Sequence, residues 1–257
     1  VSRQEAAPAD KTAALKGTLS RLGHLAVEHK LTVIGCVCVL VFLWLLSEVC
    51  DGELTRIDTI AYSFFVETLR ADWLTPIMEG FSSLASPIVL LAMLVVVAAF
   101  APGRRPGVCA TLNLALVIVL NQVLKVIVQR PRPDGFRLVA ESGYSFPSGH
   151  SMVAMAFFGL LAWMVWKYEK DRVMKWLWCI CLGLIVIMVG VSRIYLGVHY
   201  ATDVLGGFCV SLAWLALYTQ VVCPLLLPER WGDERPAVGP AGDDEAEDER
   251  DAGKDED

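Results

Sequence analysis

Charged side chains are scarce in this chain of 257 residues: Asp, Glu, Lys and Arg make up 19% of it, against about 25% in an ordinary soluble domain. Hydrophobic residues reach 55%, above the usual level of about 45–50%, and the mean hydropathy is +0.53. These values exclude a freely soluble globular domain. Metal motifs are missing as well. The eight cysteines include no C-x-x-C pair and no Cys/His spacing suited to zinc, and no carboxylate cluster suits magnesium. Seven of those cysteines lie inside apolar stretches, where a free thiol acts as a small hydrophobe, and only Cys50 stands at the end of one.

A basic surplus is also absent, since the net charge is −6, but the charge is unevenly placed. Residues 229–257 hold 13 Asp/Glu against 4 Lys/Arg, a balance of −9, which leaves the body at +3 with 18 Lys/Arg against 15 Asp/Glu. The acidity therefore describes a tail, expected to be disordered because it has many charges and little to bury. This distribution argues against nucleic acid as a partner.

Six apolar stretches stand out, at 31–49, 84–101, 108–128, 152–166, 176–191 and 201–227. They predict an all-α integral membrane bundle of six transmembrane helices, with a segment 1–30 before it, the bundle in 31–228 and the tail in 229–257. The first stretch reads as a span, not a cleavable leader, because no small-residue cleavage pattern follows it. Lys and Arg in short connections favour the cytoplasm. Such residues precede the first span (Arg3, Lys11, Lys16, Arg21, Lys30), join the second and third (Arg104, Arg105), and join the fourth and fifth (Lys167, Lys170, Arg172, Lys175). Both termini are thus expected in the cytoplasm of a multi-pass plasma-membrane protein. In the first outer connection Ile57, Ile60, Ala61, Phe64, Phe65, Thr68 and Leu69 recur at helical spacing. They predict an extra helical segment, lying either in the membrane interface or packed on the bundle.

One connection departs from that charge rule. Residues 129–150 fall on the outer side, yet they carry Arg130, Arg132 and Arg137, with Lys125 ending the preceding span. Basic residues kept on the disfavoured side imply a local anionic partner. Two further stretches reach the same side. Ser148 and Gly149 open the fourth span, where free helical amides and the helix dipole suit an anion, and His150 beside them can donate a proton to a leaving group. The third stretch holds Arg193, His199 and Asp203. If a helix includes both His199 and Asp203, their i, i+4 spacing puts them on one face, where the carboxylate fixes the imidazole tautomer and frees the other nitrogen for attack. Lys125, Arg132 and Arg193 could surround a dianion, with Ser148 and Gly149 as further donors. This set suits phosphoryl transfer, in which positive side chains replace a metal and no cofactor is needed.

In order along the chain, Lys125 with Arg132-Pro133, Pro147-Ser148-Gly149-His150, and Ser192-Arg193 with His199 and Asp203 resemble the three-part signature of the type 2 phosphatidic acid phosphatase superfamily. The resemblance covers roughly residues 54–227 and is to the membrane branch, not to the soluble haloperoxidases and acid phosphatases. It implies that His199 attacks phosphorus to form a phosphohistidine, that Asp203 orients it and that His150 protonates the leaving oxygen. Lys125, Arg132, Ser148, Gly149 and Arg193 would hold the phosphoryl oxygens. The implied substrate is a lipid phosphate monoester or pyrophosphate, such as phosphatidic acid, phosphatidylglycerol phosphate or a polyprenyl pyrophosphate, taken from the bilayer on the extracytoplasmic side. A lipid phosphotransferase using the same site, and a lipid-binding membrane protein without catalysis, are the competing readings. Residues 81–86, Phe-Ser-Ser-Leu-Ala-Ser, depart from the Thr and Gly pattern expected before the second span.

Overall fold

The computed structural model describes residues 29–52, 55–101, 104–134 and 137–227. The acidic tail and the segment before residue 29 lie outside them. Within these residues every regular element is helical. Five helices are long and apolar enough to cross a membrane: α1 (Lys30–Cys50), α5 (Arg105–Val128), α6 (Gly149–Tyr168), α7 (Arg172–Tyr195) and α8 (Ala201–Val221). Between α1 and α5 lie α2 (Arg56–Tyr62), which continues into a π-helical turn, then α3 (Thr75–Ser83) and α4 (Pro87–Phe100). A short α9 (Cys223–Leu226) follows α8.

The second expected span differs from the rest. Its helix α4 has 14 residues, about 21 Å at 1.5 Å per residue, short of a hydrocarbon core of about 30 Å. Ser86 caps it, and Pro87 fixes its first turn. Helix α3 precedes it across that break at an angle of 54°, and the two together, as one bent pair, are long and apolar enough for a sixth crossing. The last span likewise stops at Val221 instead of running on to residue 227, because α9 starts anew ahead of Pro224. Conversely, α6 and α7 exceed their apolar stretches: Ser148 and Asp171 cap them with side-chain oxygens at the polar margins.

Helix α6 is the centre of the bundle, with α5, α7 and α8 around it; α1 packs on α8, α3 on α7 and α4 on α5. Met152, Phe157, Phe158 and Leu160 of α6 meet Val117 of α5, Val189 of α7 and Leu215 of α8 in the main core. Large apolar side chains such as Leu40, Ile88, Ile127 and Val173 face outward, as a lipid solvent requires. Polar groups instead bind helix to helix: Asn113 donates to the Ala156 carbonyl at 2.8 Å and accepts from Trp214, and Ser211 donates to the Met152 carbonyl. The expected helical segment is present as α2 and its π-helical turn, and one side of it packs on the bundle. Ala61 and Phe65 pack against Ile194, Ala201 and Val204, whereas Ile57, Ile60 and Phe64 are exposed.

At one end of the bundle, the connections 129–134, 137–148 and 196–200 are tied together by backbone bonds. Ser145 donates to the Arg130 carbonyl at 2.8 Å, Leu138 to Leu196 at 3.0 Å and Ser148 to Asp203 at 3.0 Å. The last of these needs a close approach of α6 and α8 at Gly207. A Cβ there would stand 3.0 Å from the Ser148 carbonyl oxygen, which is backbone and cannot swing aside. Gly207→Val should therefore cost about 1–3 kcal/mol by overpacking, read as a lower melting temperature in detergent. Gly183→Ala, at a position with nothing within 4 Å, should leave that temperature unchanged.

Candidate active site

After α7, the chain turns at Gly197, whose φ of +74° favours a residue without a side chain, and His199 follows at 3% exposure. Helix α8 begins only at Ala201, so His199 lies outside it. The expected pairing along one helix face is therefore replaced by a fold-back across the helix start. Asp203, in the first turn, accepts from the Tyr200 amide at 2.9 Å as a helix cap and lies 3.2 Å from Nδ1 of His199, through the same oxygen. Ser145 donates its hydroxyl to that oxygen too.

A carboxylate can only accept, so Nδ1 carries the proton and the lone pair of His199 is on Nε2. Nε2 lies 3.3 Å from a guanidinium nitrogen of Arg132. Burial pushes the imidazole down to about 4; Asp203 opposes the shift, and Arg193 and Arg132 add to it. His199 is thus neutral near pH 7, with its free nitrogen facing the cations.

Arg132 is fixed by three carbonyls, those of Gly143, Val198 and Ser142, at 3.0–3.1 Å. Arg193 donates to the Ser82 hydroxyl at 2.5 Å and to Glu141, while its buried Nε has no hydrogen-bond partner among the described residues. Glu141 also lies 3.5 Å from Arg132, so one carboxylate is shared by two guanidinium groups. Burial would raise the Glu141 carboxyl, but Arg193, followed by His150 and Arg132, holds it below the usual range. Two arginines converging on one carboxylate show that this corner stabilises an anion.

Beside these groups lies a cavity of about 850 Å³. Lys125, Arg132, Glu141, Gly149, His150 and His199 line its polar end, and Leu90, Leu91 and Leu94 of α4 with Leu114 and Ile118 of α5 line the rest. Leu91 and Ile118 are also exposed at the bundle surface, so the apolar end lies along the lipid-facing side. Lys125 donates to the Tyr144 carbonyl at 2.9 Å, which sets its ammonium at the polar end.

Of the eight site residues expected from the sequence, Lys125, Arg132, Gly149, His150 and His199 line this cavity together. Asp203 stands behind His199 as its partner. Ser148 is fully buried, caps α6 and accepts from the Ser151 hydroxyl at 3.0 Å. Arg193 reaches the cavity wall through Glu141. The basic cluster in 129–137 divides in a way its composition hides: Arg130 is paired inside the protein with Asp58 and Asp203, and Arg137 bonds the Pro133 carbonyl. Asp58, Glu141, Ser145 and Thr202 also belong to the site, and the motif spacing alone does not mark them. Ser82 shows what the departure at residues 81–86 does here, since it receives Arg193.

Fold and site define a helical membrane protein with a carboxylate-oriented histidine at a cavity that has cationic side chains at one end and an apolar extension. The PAP2 superfamily model matches residues 106–224. Phosphatidylglycerophosphatase B of Bacillus subtilis is 39% identical over 151 residues, covering 56% of this chain and 73% of that protein. The chain belongs to the PAP2 superfamily, among its membrane lipid phosphatases. Two further relatives are covered to about half their length: a lipid A 1-phosphatase of Rhizobium johnstonii is 32% identical over 44% of this chain and 48% of its own length. For an undecaprenyl-diphosphatase of Sulfolobus acidocaldarius the identity is 29%, over 44% and 53% respectively. The crystal structure of a transmembrane PAP2-type phosphatidylglycerolphosphate phosphatase from Bacillus subtilis superposes with a TM-score of 0.65 at 33% identity, over 72% of this chain and 94% of that one.

The titration of His199 gives this site a pH signature. The folded protein keeps the imidazole neutral down to about 4, whereas an unfolded chain takes the proton near its ordinary value of about 6.5. The unfolded state thus binds more protons in that window, and stability should fall as pH drops through it. The loss of phosphate release that comes from protonating the His199 lone pair, measured as the acid limb of kcat/KM, should fall near the lowered value. An acid limb near the ordinary histidine value would contradict this geometry.

Proposed function

We propose that the protein is a metal-independent lipid phosphatase that works through a phosphohistidine on His199. The observation that carries this reading is the shape of the cavity beside His199: motif side chains gather at its polar end, and aliphatic side chains of α4 and α5 continue from it along the lipid side. A phosphate on an apolar tail matches both ends. Lys125 and Arg132 neutralise the phosphoryl oxygens, Gly149 lets the start of α6 approach them, and Asp203 holds the proton of Nδ1 while Nε2 attacks phosphorus. The bond from phosphorus to the leaving oxygen breaks, and His150, on the same wall, gives that oxygen its proton. Water, deprotonated by the now neutral His150, then attacks phosphorus and releases phosphate and free His199. The cations take the charge-neutralising role that a metal would otherwise fill; among the described residues no group of three His, Cys, Asp or Glu converges as a metal site.

Phosphatidylglycerol phosphate is the first substrate to test, because the Bacillus subtilis relative named for it is similar over most of its own length. Phosphatidic acid and a polyprenyl pyrophosphate have the same two-part character. The site faces the extracytoplasmic side in this reading. Arg105 at the start of α5, Lys167 at the end of α6 and Arg172 at the start of α7 mark the opposite end of the bundle, where basic residues favour the cytoplasm.

Purified protein in detergent should release phosphate from one or more of these lipids, with rates unchanged by a chelator. His199→Ala should reduce release to background, and His150→Ala should cost roughly 10²–10⁴-fold, the usual share of a general acid. No release from any of them, or activity that a chelator abolishes, would overturn the proposal.

A further inference from the structure

The catalytic carboxylate has a second cation against it. Arg130 donates to the outer oxygen of Asp203 at 2.6 Å, on the side away from His199. A permanent positive charge this close, and buried, cancels much of the pull that Asp203 exerts on the imidazole. The far side of the same guanidinium meets Asp58 at 2.9 Å. The side chains of Asp58, Arg130 and Asp203 are 1%, 8% and 0% exposed, so little solvent screens the row. Its net charge is −1, that of Asp203 standing alone, yet Asp203 is now held from both sides.

Asp58 also grips the residue next to the catalytic one. Its carboxylate accepts from the Thr202 amide at 2.8 Å and from the Thr202 hydroxyl at 2.9 Å, while Arg130 donates to that hydroxyl at 2.7 Å. The guanidinium carbon of Arg130 sits 4.1 Å over the Tyr200 ring. Asp58 thus fixes the first turn of α8 by two routes, directly at Thr202 and through Arg130. Docking of α2 does not itself call for a buried acid, because Ala61 and Phe65 already supply an apolar contact. A buried carboxylate in such a place is costly unless its partners use it.

We propose that Asp58 is a positioning residue for the reaction: through Arg130 it sets the charge and orientation of Asp203, and hence the nucleophilic strength of His199, without touching the substrate. The inference rests on the reading of this site as a lipid phosphatase. As the Nε2–phosphorus bond forms, positive charge develops on the imidazole, and Asp203 balances it only to the extent that Arg130 is itself balanced by Asp58. The cavity cations Lys125 and Arg132 are not involved, so substrate binding is independent of Asp58.

Asp58→Asn keeps the shape and removes the charge. It should lower kcat by about 10–100-fold, the scale of an outer-shell partner, and leave the KM for a phosphatidylglycerol phosphate in mixed micelles within about twofold. The acid limb of kcat/KM should move to lower pH, since the surroundings of His199 become more positive by one charge. The groups facing His199 are otherwise unchanged: Asp203 on α8, Arg193 on α7, His150 on α6, and Arg132 with Glu141 from the connections. Removing both charges in Asp58→Asn/Arg130→Gln should recover part of the kcat lost in Asp58→Asn. Should Asp58→Asn fail to fold, Arg130→Lys serves as the second variant; it keeps the charge but not the two-sided bridge, and should lower kcat at constant KM. Wild-type kcat in Asp58→Asn or in Arg130→Lys, an unmoved acid limb, or single losses that simply multiply in the double variant would each overturn the proposal. A wild-type protein that releases no phosphate would instead overturn the phosphatase reading, and this inference with it.

Discussion

The carboxylate of Asp203 is the point on which the polar end of the bundle depends. It is fully buried in an apolar body and ionised, which is tolerable only because four donors surround it: the Tyr200 amide, Nδ1 of His199, the Ser145 hydroxyl and Arg130. The donors come from three connections: His199 and Tyr200 from 196–200, Ser145 from 137–148 and Arg130 from 129–134. One charge thus specifies how these three connections meet the start of α8. The same bonds fix the tautomer of His199, so the stability of this end and its chemistry have one origin.

The surrounding cations fall into two sets with different jobs. Arg130 is buried between two carboxylates and closes off the structure behind Asp203. Lys125 and Arg132 face the cavity, with Arg193 behind Glu141 at its wall. A site with only the second set would have a mobile histidine, and one with only the first would have nothing to hold a dianion. The bent pair of α3 and α4 completes the arrangement. Ser82 of α3 receives Arg193, and the short α4 contributes the aliphatic wall along which an acyl or prenyl chain can lie.

Much of this was legible in the sequence where the signal was local. Helices α1 and α5 to α8 were recoverable because long apolar runs suffice to mark a span, and the starts of α6 and α7 and the end of α8 moved where Ser148 or Asp171 imposed a cap or Pro224 a break. The break before α4 was harder, since Ser86-Pro87 lies inside a stretch whose hydropathy alone does not reveal it. Lys125, Arg132, His150, His199 and Asp203 could be picked out from spacing. Asp58 could not, because its contact with Arg130 and Thr202 joins positions 72 and 144 residues apart through the docking of α2. Arg130 was visible but read as part of a site for an outside anion; composition counts a charge without showing that Asp58 and Asp203 already balance it.

The central claim is that the buried, neutral imidazole of His199 becomes covalently bonded to phosphorus. Rapid quench of the protein during turnover of phosphatidylglycerol phosphate, followed by mass spectrometry of its peptides under alkaline conditions, tests this directly. The account predicts one transient phosphoryl group, on the peptide containing His199, that disappears as phosphate is released. Turnover with no phosphorylated peptide at any quench time, or with the label on a different residue, would contradict it.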